Sequence, residues 1–218
     1  MSRAALVTGA SFAWLLAGEG HPLLLVARRE DRLQDLAAEL RATHGVRCEV
    51  FAADLTDPDT PARATDYATA QGLDIEVLIN NAALSGNDTF ANTPWPTLAA
   101  EIQLMITAVT ELAHRVAPGM KERGWGRIVN VSSLAAFAPP AESLLYTGIK
   151  SYVLHMSQAL DMELRRDGIN VTALCPGFTR SAFHDVMGTR DILNDAERKA
   201  QDRQNNNNQT DQINNATH

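Results

Sequence analysis

The chain has 218 residues, a hydrophobic fraction of 45% and an aromatic fraction of 6%, values typical of a globular protein with one sizeable core. Its net charge of −7 argues against nucleic acid as the main partner, because phosphate binding needs a basic surface. The cysteines and histidines show no metal-ligand spacing, and no run approaches the ~18 apolar residues of a membrane span. We therefore expect a cytoplasmic protein with no metal, no nucleic acid partner and no membrane segment.

Short apolar runs alternate with helical patterns along most of the chain. The runs are near-continuous, as in a parallel sheet covered on both faces. We predict strands over residues 4–7, 23–27, 47–52, 76–80, 127–131 and 170–174. We predict helices over residues 12–18, 31–43, 58–71, 97–120 and 143–166. This alternation predicts an α/β fold, a doubly wound parallel sheet of about six strands flanked by helices, with ligands bound at the carboxyl ends of the strands.

The strand and helix pattern fades towards the C-terminus. We predict one domain over residues 1–194, followed by a polar tail over residues 195–218 that contains an Asn run at 205–208. A polar, Asn-rich composition is typical of a disordered segment, and the alternative is a binding segment.

Tyr146 and Lys150 lie four residues apart, and Ser133 precedes Tyr146 by thirteen residues. On a helix, a spacing of four places two side chains on one face, one turn apart. A phenol is a weak acid at neutral pH, and an ammonium within about 4–6 Å lowers an acid's pKa by roughly 1–3 units. A serine hydroxyl nearby can hold a carbonyl oxygen by a hydrogen bond. Together the three residues indicate general acid–base chemistry on a carbonyl or an alcohol.

The segment Thr8-Gly9-Ala10-Ser11 follows the first predicted strand and precedes the first predicted helix. A glycine there lets the backbone approach a pyrophosphate, and a helix N-terminus offers unpaired N–H groups. The motif therefore predicts a phosphate-binding turn. The alternative is an ordinary tight turn with Ser11 as the helix N-cap.

Two cations, Arg28 and Arg29, follow the second predicted strand. In a dinucleotide-binding fold, an acid at this point bonds the ribose 2′-hydroxyl, whereas an arginine suits a 2′-phosphate. The pair therefore favours NADP over NAD. The alternative is that both are solvated surface arginines.

Short polar or turn-forming segments follow three further strands. Asp54-Leu55 follows the third strand, Asn80-Asn81-Ala82 the fourth and Pro176-Gly177 the sixth. Each is an ordinary turn former by itself. Placed in order at the ends of parallel strands, they indicate an adenine, ribose or nicotinamide site along one edge of the sheet.

These motifs, in this order and across residues 4–181, resemble the short-chain dehydrogenases/reductases. The resemblance implies a single Rossmann-like domain in which Tyr146 is the catalytic acid/base, Lys150 binds the nicotinamide ribose and assists Tyr146, and Ser133 orients the substrate carbonyl. It implies a homodimer or homotetramer built on the two long helices. The implied cofactor-binding residues are Thr8, Gly9, Ser11, Arg28, Arg29, Asp54, Leu55, Asn80, Ala82, Tyr146, Lys150, Pro176 and Gly177.

The chain departs from the family pattern at three places. Aligned by eye, about six residues are absent after Ser11, including two of the three glycines of the phosphate loop. Met105 stands where the family usually has an asparagine that helps to hold a water of the proton relay, and a thioether cannot donate a hydrogen bond. The family's further strand and helix after the substrate flap have no visible counterpart in the polar tail.

Two functional hypotheses follow from the sequence. The first is an NADP-preferring oxidoreductase that interconverts a small-molecule carbonyl and an alcohol by hydride transfer, as the intact Ser133, Tyr146 and Lys150 suggest. The second is a catalytically impaired homologue that acts as an oligomerising or binding protein, as the shortened loop and Met105 suggest. An altered copy or fragment with no function of its own is a third possibility.

Overall fold

We describe a computed structural model that covers residues 2–84, 89–137 and 145–177. Its sheet contains six strands, all paired in parallel, in the order β3-β2-β1-β4-β5-β6. The strands are β1 (Ser2–Thr8), β2 (Leu23–Ala27), β3 (Cys48–Ala52), β4 (Leu73–Asn80), β5 (Gly126–Val131) and β6 (Ile169–Leu174). The predicted doubly wound α/β fold is confirmed. The direction in which successive strands are added to the sheet reverses between β1 and β4, and such a switch point opens a crevice at the carboxyl ends of the strands.

Six α-helices flank this sheet within the described residues. They are α1 (Ala13–Gly18), α2 (Glu30–His44), α3 (Thr60–Ala70), α4 (Trp95–Ile102), α5 (Ala108–Arg123) and α6 (Tyr146–Leu164). None of the helices in these parts of the chain is long and apolar enough to cross a lipid bilayer. The predicted domain boundary at residue 194 and the predicted tail lie outside the described residues.

The helix predicted over residues 97–120 is interrupted. A π-helical turn over Gln103–Thr107 separates α4 from α5. Apolar periodicity continues through the turn, so the sequence pattern gave no sign of it. Single π-helical turns inside longer helices often lie at functional sites. Here the turn contains Met105, which is buried in the core as a residue of the apolar stripe.

The core has two parts, one on each face of the sheet. Consecutive residues of one strand belong to different parts of the core. Leu6 and Leu24 lie in one cluster, and the residues that follow them, Val7 and Leu25, lie in the other. This explains the near-continuous apolar strands, because successive side chains of a strand point to opposite faces and both faces are covered.

Candidate active site

Tyr146 and Lys150 meet at the start of α6. Tyr146 is the first residue of this helix, and the Lys150 Nζ atom lies 5.5 Å from the centre of the Tyr146 ring. The expected arrangement of the two side chains, one helical turn apart on one face, is therefore present. The pair combines a phenol with a nearby amine, an arrangement that can support proton transfer at a carbonyl oxygen.

Lys150 is almost completely buried, with 4% of its surface exposed. Its Nζ atom donates a 2.8 Å hydrogen bond to the backbone oxygen of Val131, the last residue of β5. Burial lowers the pKa of Lys150 from 10.5 to about 8, and Cys175 nearby acts in the opposite direction. The amine therefore keeps its proton at neutral pH and places a positive charge beside Tyr146.

Ser133 follows the end of β5, two residues after Val131. Its Oγ atom accepts a 3.1 Å hydrogen bond from the backbone N–H of Ala135. Ala135 lies in the short 3-10 helix Leu134–Phe137, which directly follows Ser133. A serine hydroxyl that accepts one hydrogen bond retains an O–H that can donate. This is the group that can bond a carbonyl oxygen.

The ends of β1 and β4 are joined through Thr8. The buried Oγ1 atom of Thr8 accepts hydrogen bonds from the backbone N–H groups of Asn81 at 2.9 Å and Ala82 at 3.1 Å, and it donates to the oxygen of Ile79 at 3.3 Å. The two motifs that the sequence placed at separate strand ends thus form one structure at the switch point. The Ala82 N–H is bonded within the protein itself.

Gly9 has a backbone conformation that favours glycine over other residues. Its φ of +84° lies in the left-handed region, and a Cβ atom there would stand 2.7 Å from the Nδ2 atom of Asn81. The backbone conformation therefore favours glycine at this position whether or not a ligand binds. Its presence is consistent with a phosphate site but does not depend on one.

The connection from Gly9 to α1 is short. Helix α1 spans only Ala13–Gly18, and its N-cap residue is Phe12, with no side-chain capping bond. The alternative in which Ser11 caps the helix is therefore wrong. Ser11 is exposed in the turn, and Gly9 is the only glycine between β1 and α1.

Arg28 and Asp54 lie beside each other where β2 and β3 end. Their side chains approach to 3.9 Å, and both are substantially exposed. Asp54 also accepts a 2.9 Å hydrogen bond from the N–H of Thr56. Exposed ion pairs contribute only about 0–1 kcal/mol, so this contact leaves Arg28 able to bind an anion. Arg29 precedes α2 as its N-cap residue and is exposed.

Two of the predicted cofactor-binding residues direct their side chains into the protein. Leu55 is buried in the core. The buried Asn80 amide donates to Asn130 Oδ1 at 2.9 Å and to the oxygen of Val109 at 3.3 Å. A cofactor role for either residue remains a prediction, and the contact to the cofactor would have to come from backbone atoms.

Pro176 and Gly177 follow β6 and contact the segment after β5. The Pro176 oxygen accepts a 3.0 Å hydrogen bond from the Leu134 N–H, and a Cβ atom on Gly177 would lie 3.3 Å from the Leu134 side chain. The structure therefore brings this pair beside the segment that carries Ser133, as their positions at neighbouring strand ends predict.

Three polar residues behind the site were missed by the sequence reasoning. Ser132 donates to the backbone oxygen of Lys150, and Asn130 donates a 3.0 Å hydrogen bond to Ser157 on α6. Ser157 lies seven residues after Lys150, two turns along the same helix face. The sequence did carry a sign of this role, because Ser157 is a hydroxyl residue among the apolar residues of the buried face of α6. No group of three His, Cys, Asp or Glu residues in the described segments could hold a metal ion.

Comparisons with known proteins agree with this architecture. The short chain dehydrogenase family model matches residues 3–190. A very-long-chain 3-oxoacyl-CoA reductase of Laccaria bicolor is 33% identical over 190 residues, which cover 84% of this chain and 56% of that protein. The chain thus spans little more than half the length of that relative.

Solved structures show the same likeness. A short-chain dehydrogenase from Sphingobium yanoikuyae in complex with NADPH has a TM-score of 0.80 and 36% identity, over 93% of this chain and 85% of that one. A bulky-bulky ketone specific alcohol dehydrogenase from Comamonas testosteroni has a TM-score of 0.76 and 35% identity, over 83% and 74% of the two chains. The chain belongs to the short-chain dehydrogenase/reductase family.

Proposed function

We propose that this protein is an NADP-preferring oxidoreductase that interconverts a carbonyl and an alcohol, with Tyr146 as the acid/base. The observation that carries the proposal is the proximity of the Tyr146 ring to the Lys150 amine, which is hydrogen-bonded to the end of β5. A nicotinamide, when bound, supplies or takes up the hydride. Tyr146 gives a proton to the carbonyl oxygen during reduction, while Ser133 holds that oxygen and the Lys150 charge stabilises the phenolate that remains.

The residues present fit a dinucleotide at its two ends. Tyr146 and Lys150 offer a hydroxyl and an ammonium for a nicotinamide ribose. Arg28 and Arg29 offer cations for a 2′-phosphate beside β2. The NADPH-bound dehydrogenase from Sphingobium yanoikuyae supports the same choice of cofactor.

The part of the site that would hold the pyrophosphate of a dinucleotide fits that group less well. A pyrophosphate is normally surrounded by a glycine-rich turn, and here Gly9 is the only glycine between β1 and α1. We therefore expect weak dinucleotide affinity. This same feature favours a second candidate function, a catalytically impaired homologue that acts by self-association or binding.

The substrate class is proposed from the side chains near Ser133. Leu134 and Phe137, in the 3-10 helix that follows Ser133, are both exposed and apolar. They favour a carbonyl compound with an apolar substituent, since burying such surface on binding is favourable. The alcohol dehydrogenase from Comamonas testosteroni, described as specific for bulky-bulky ketones, is consistent with this class.

Self-association is proposed through α5 and α6, the two long helices. Thr110 on α5 lies 2.9 Å from the Tyr152 hydroxyl on α6, so the two helices are adjacent. Tyr152 and Met162 are large exposed side chains on α6. Burying them against a second copy would form a dimer or a tetramer, which sedimentation analysis would detect.

The deciding experiment is a calorimetric titration of the purified protein with NADPH and with NADH. The titration is followed by an assay of NADPH oxidation with a panel of aldehydes and ketones. Binding of NADPH in preference to NADH, with turnover of at least one carbonyl compound, is the expected result. Binding of neither nucleotide at millimolar concentration, in a folded and self-associated protein, would favour the second candidate.

A further inference from the structure

We propose that Ser132 is a positioning residue that holds Lys150 in place against the end of β5. Ser132 is buried, and its Oγ atom donates a 2.7 Å hydrogen bond to the backbone oxygen of Lys150. In return, the Lys150 Nζ atom donates its 2.8 Å hydrogen bond to the oxygen of Val131. Two consecutive residues of one strand end therefore bind both ends of the same lysine.

This double attachment matters because a lysine side chain is long and flexible. The Nζ hydrogen bond holds the amine, and the Ser132 hydrogen bond holds the backbone of the same residue in addition to the packing of the buried face of α6. With both ends bound, the position of the amine relative to Tyr146 is set by the end of β5. Ser132 supplies the backbone half of this attachment.

Ser132 also connects the end of β5 to the end of β6. Its backbone N–H donates a 2.7 Å hydrogen bond to the oxygen of Leu174, the last residue of β6. One residue thus joins the elements that carry Ser133, Lys150 and Pro176. The catalytic meaning of this connection rests on the proposed function, whereas the position of Lys150 can be measured without any turnover.

Ser157 provides a matched control on the same helix. It is also fully buried, and its Oγ atom donates a 2.6 Å hydrogen bond to the backbone oxygen of Val153. It lies two turns away from Lys150. Removal of its hydroxyl therefore disturbs the buried face of α6 without releasing the lysine backbone.

The experiment is a pH titration of the full chain carrying ¹³C-labelled lysine, followed by NMR. The sequence contains three lysines, Lys121, Lys150 and Lys199, and Lys150→Arg identifies the signal of interest. Wild-type Lys150 should titrate with a pKa of about 8. Ser132→Ala should raise this pKa by about one unit, because a looser Lys150 backbone lets the amine move away from Val131 and gain contact with water. The titratable groups near the Lys150 amine are Tyr146 and Cys175, and none of the variants replaces either of them.

Ser157→Ala should leave the Lys150 titration unchanged. An unchanged pKa in Ser132→Ala, or an equal rise in both variants, would overturn the positioning role. If Ser132→Ala does not fold, Ser132→Gly replaces it, since glycine removes the hydroxyl without adding volume or a second titratable group. A shift in that variant supports the role, and no shift contradicts it. Absence of turnover in the wild type would instead count against the proposed function and would leave this titration readable.

Discussion

The Lys150 amine lies 5.5 Å from the centre of the Tyr146 ring and is held there by a hydrogen bond to the end of β5. The two residues are neighbours because α6 places them one turn apart, and the amine is fixed because the backbone oxygen of Val131 at the end of β5 accepts a hydrogen bond from it. The Lys150 amine is thus the charged group held beside Tyr146. The predictions for Tyr146→Phe and for the pH dependence of stability depend on this position.

Replacing Tyr146 with phenylalanine should remove proton transfer and leave the fold intact. The change deletes one hydroxyl from a side chain that is only partly buried. Loss of a general acid/base typically lowers turnover by ~10²–10⁴-fold. The measurement is NADPH oxidation with a carbonyl panel, with circular dichroism as the check on folding. Turnover that survives the change would show that Tyr146 is not the proton donor.

Lys150 should make stability rise with pH in the alkaline range. Its folded-state pKa of about 8 lies below its ordinary value of 10.5, so between these values the unfolded chain binds more protons than the folded chain. The free energy of unfolding should therefore rise by up to about 3 kcal/mol across this window. Urea unfolding of the wild type and of Lys150→Met, compared at several pH values, measures this contribution.

The comparison with Lys150→Met also removes an opposing effect. Burial raises the pKa of Cys48 from 9.0 to about 11, which lowers stability as pH rises above 9, but it does so in both proteins. The difference in unfolding free energy between wild type and variant should therefore isolate Lys150. A difference that stays constant with pH would mean that the lysine is not buried in solution.

Arg28→Asp should weaken NADPH binding more than NADH binding. The new carboxylate would face a 2′-phosphate and would also lie near Asp54, whose side chain is 3.9 Å from Arg28. Losing one charge-assisted hydrogen bond corresponds to ~10–100-fold in affinity. Arg32→Asp, with the same charge change at an exposed position of α2, is the control. Equal losses for the two nucleotides would argue against the 2′-phosphate assignment.

Ser157→Ala should destabilise the protein by about 1–3 kcal/mol, because it leaves the buried amide of Asn130 without its acceptor. Chemical unfolding measures this loss. Gln158→Ala, an exposed change on the same helix, should cost far less. Equal effects at the two positions would show that the Asn130–Ser157 hydrogen bond does not contribute to stability.

Inserting Ser-Gly-Ile-Gly-x-Ala after Ser11 should increase NADPH affinity. The insertion would restore a glycine turn able to form two or three backbone hydrogen bonds to a pyrophosphate, each contributing roughly 1.5–3 kcal/mol. The gain should therefore reach several orders of magnitude. An insertion of equal length without glycine is the control. Micromolar NADPH affinity in the wild-type protein would overturn the idea that the shortened turn limits binding.

The sequence by itself determined the architecture. Apolar runs without alternation indicate strands covered on both faces, and the helical patterns between them indicate parallel crossovers. The same local logic found Tyr146 and Lys150, because a spacing of four on a helix fixes their relative position. Order along the chain was sufficient to predict that Thr8, Asn80 and Ser133 lie at one edge of the sheet.

Only the tertiary structure decided what each of these residues contacts. A polar residue at a strand end can face a ligand or the protein interior, and spacing along the chain does not distinguish the two. Asn80 turns inward to Asn130, and Thr8 joins β1 to β4. The burial of Lys150 and its attachment to Val131 and Ser132 also depend on how α6 packs on β5, a contact between segments nearly twenty residues apart.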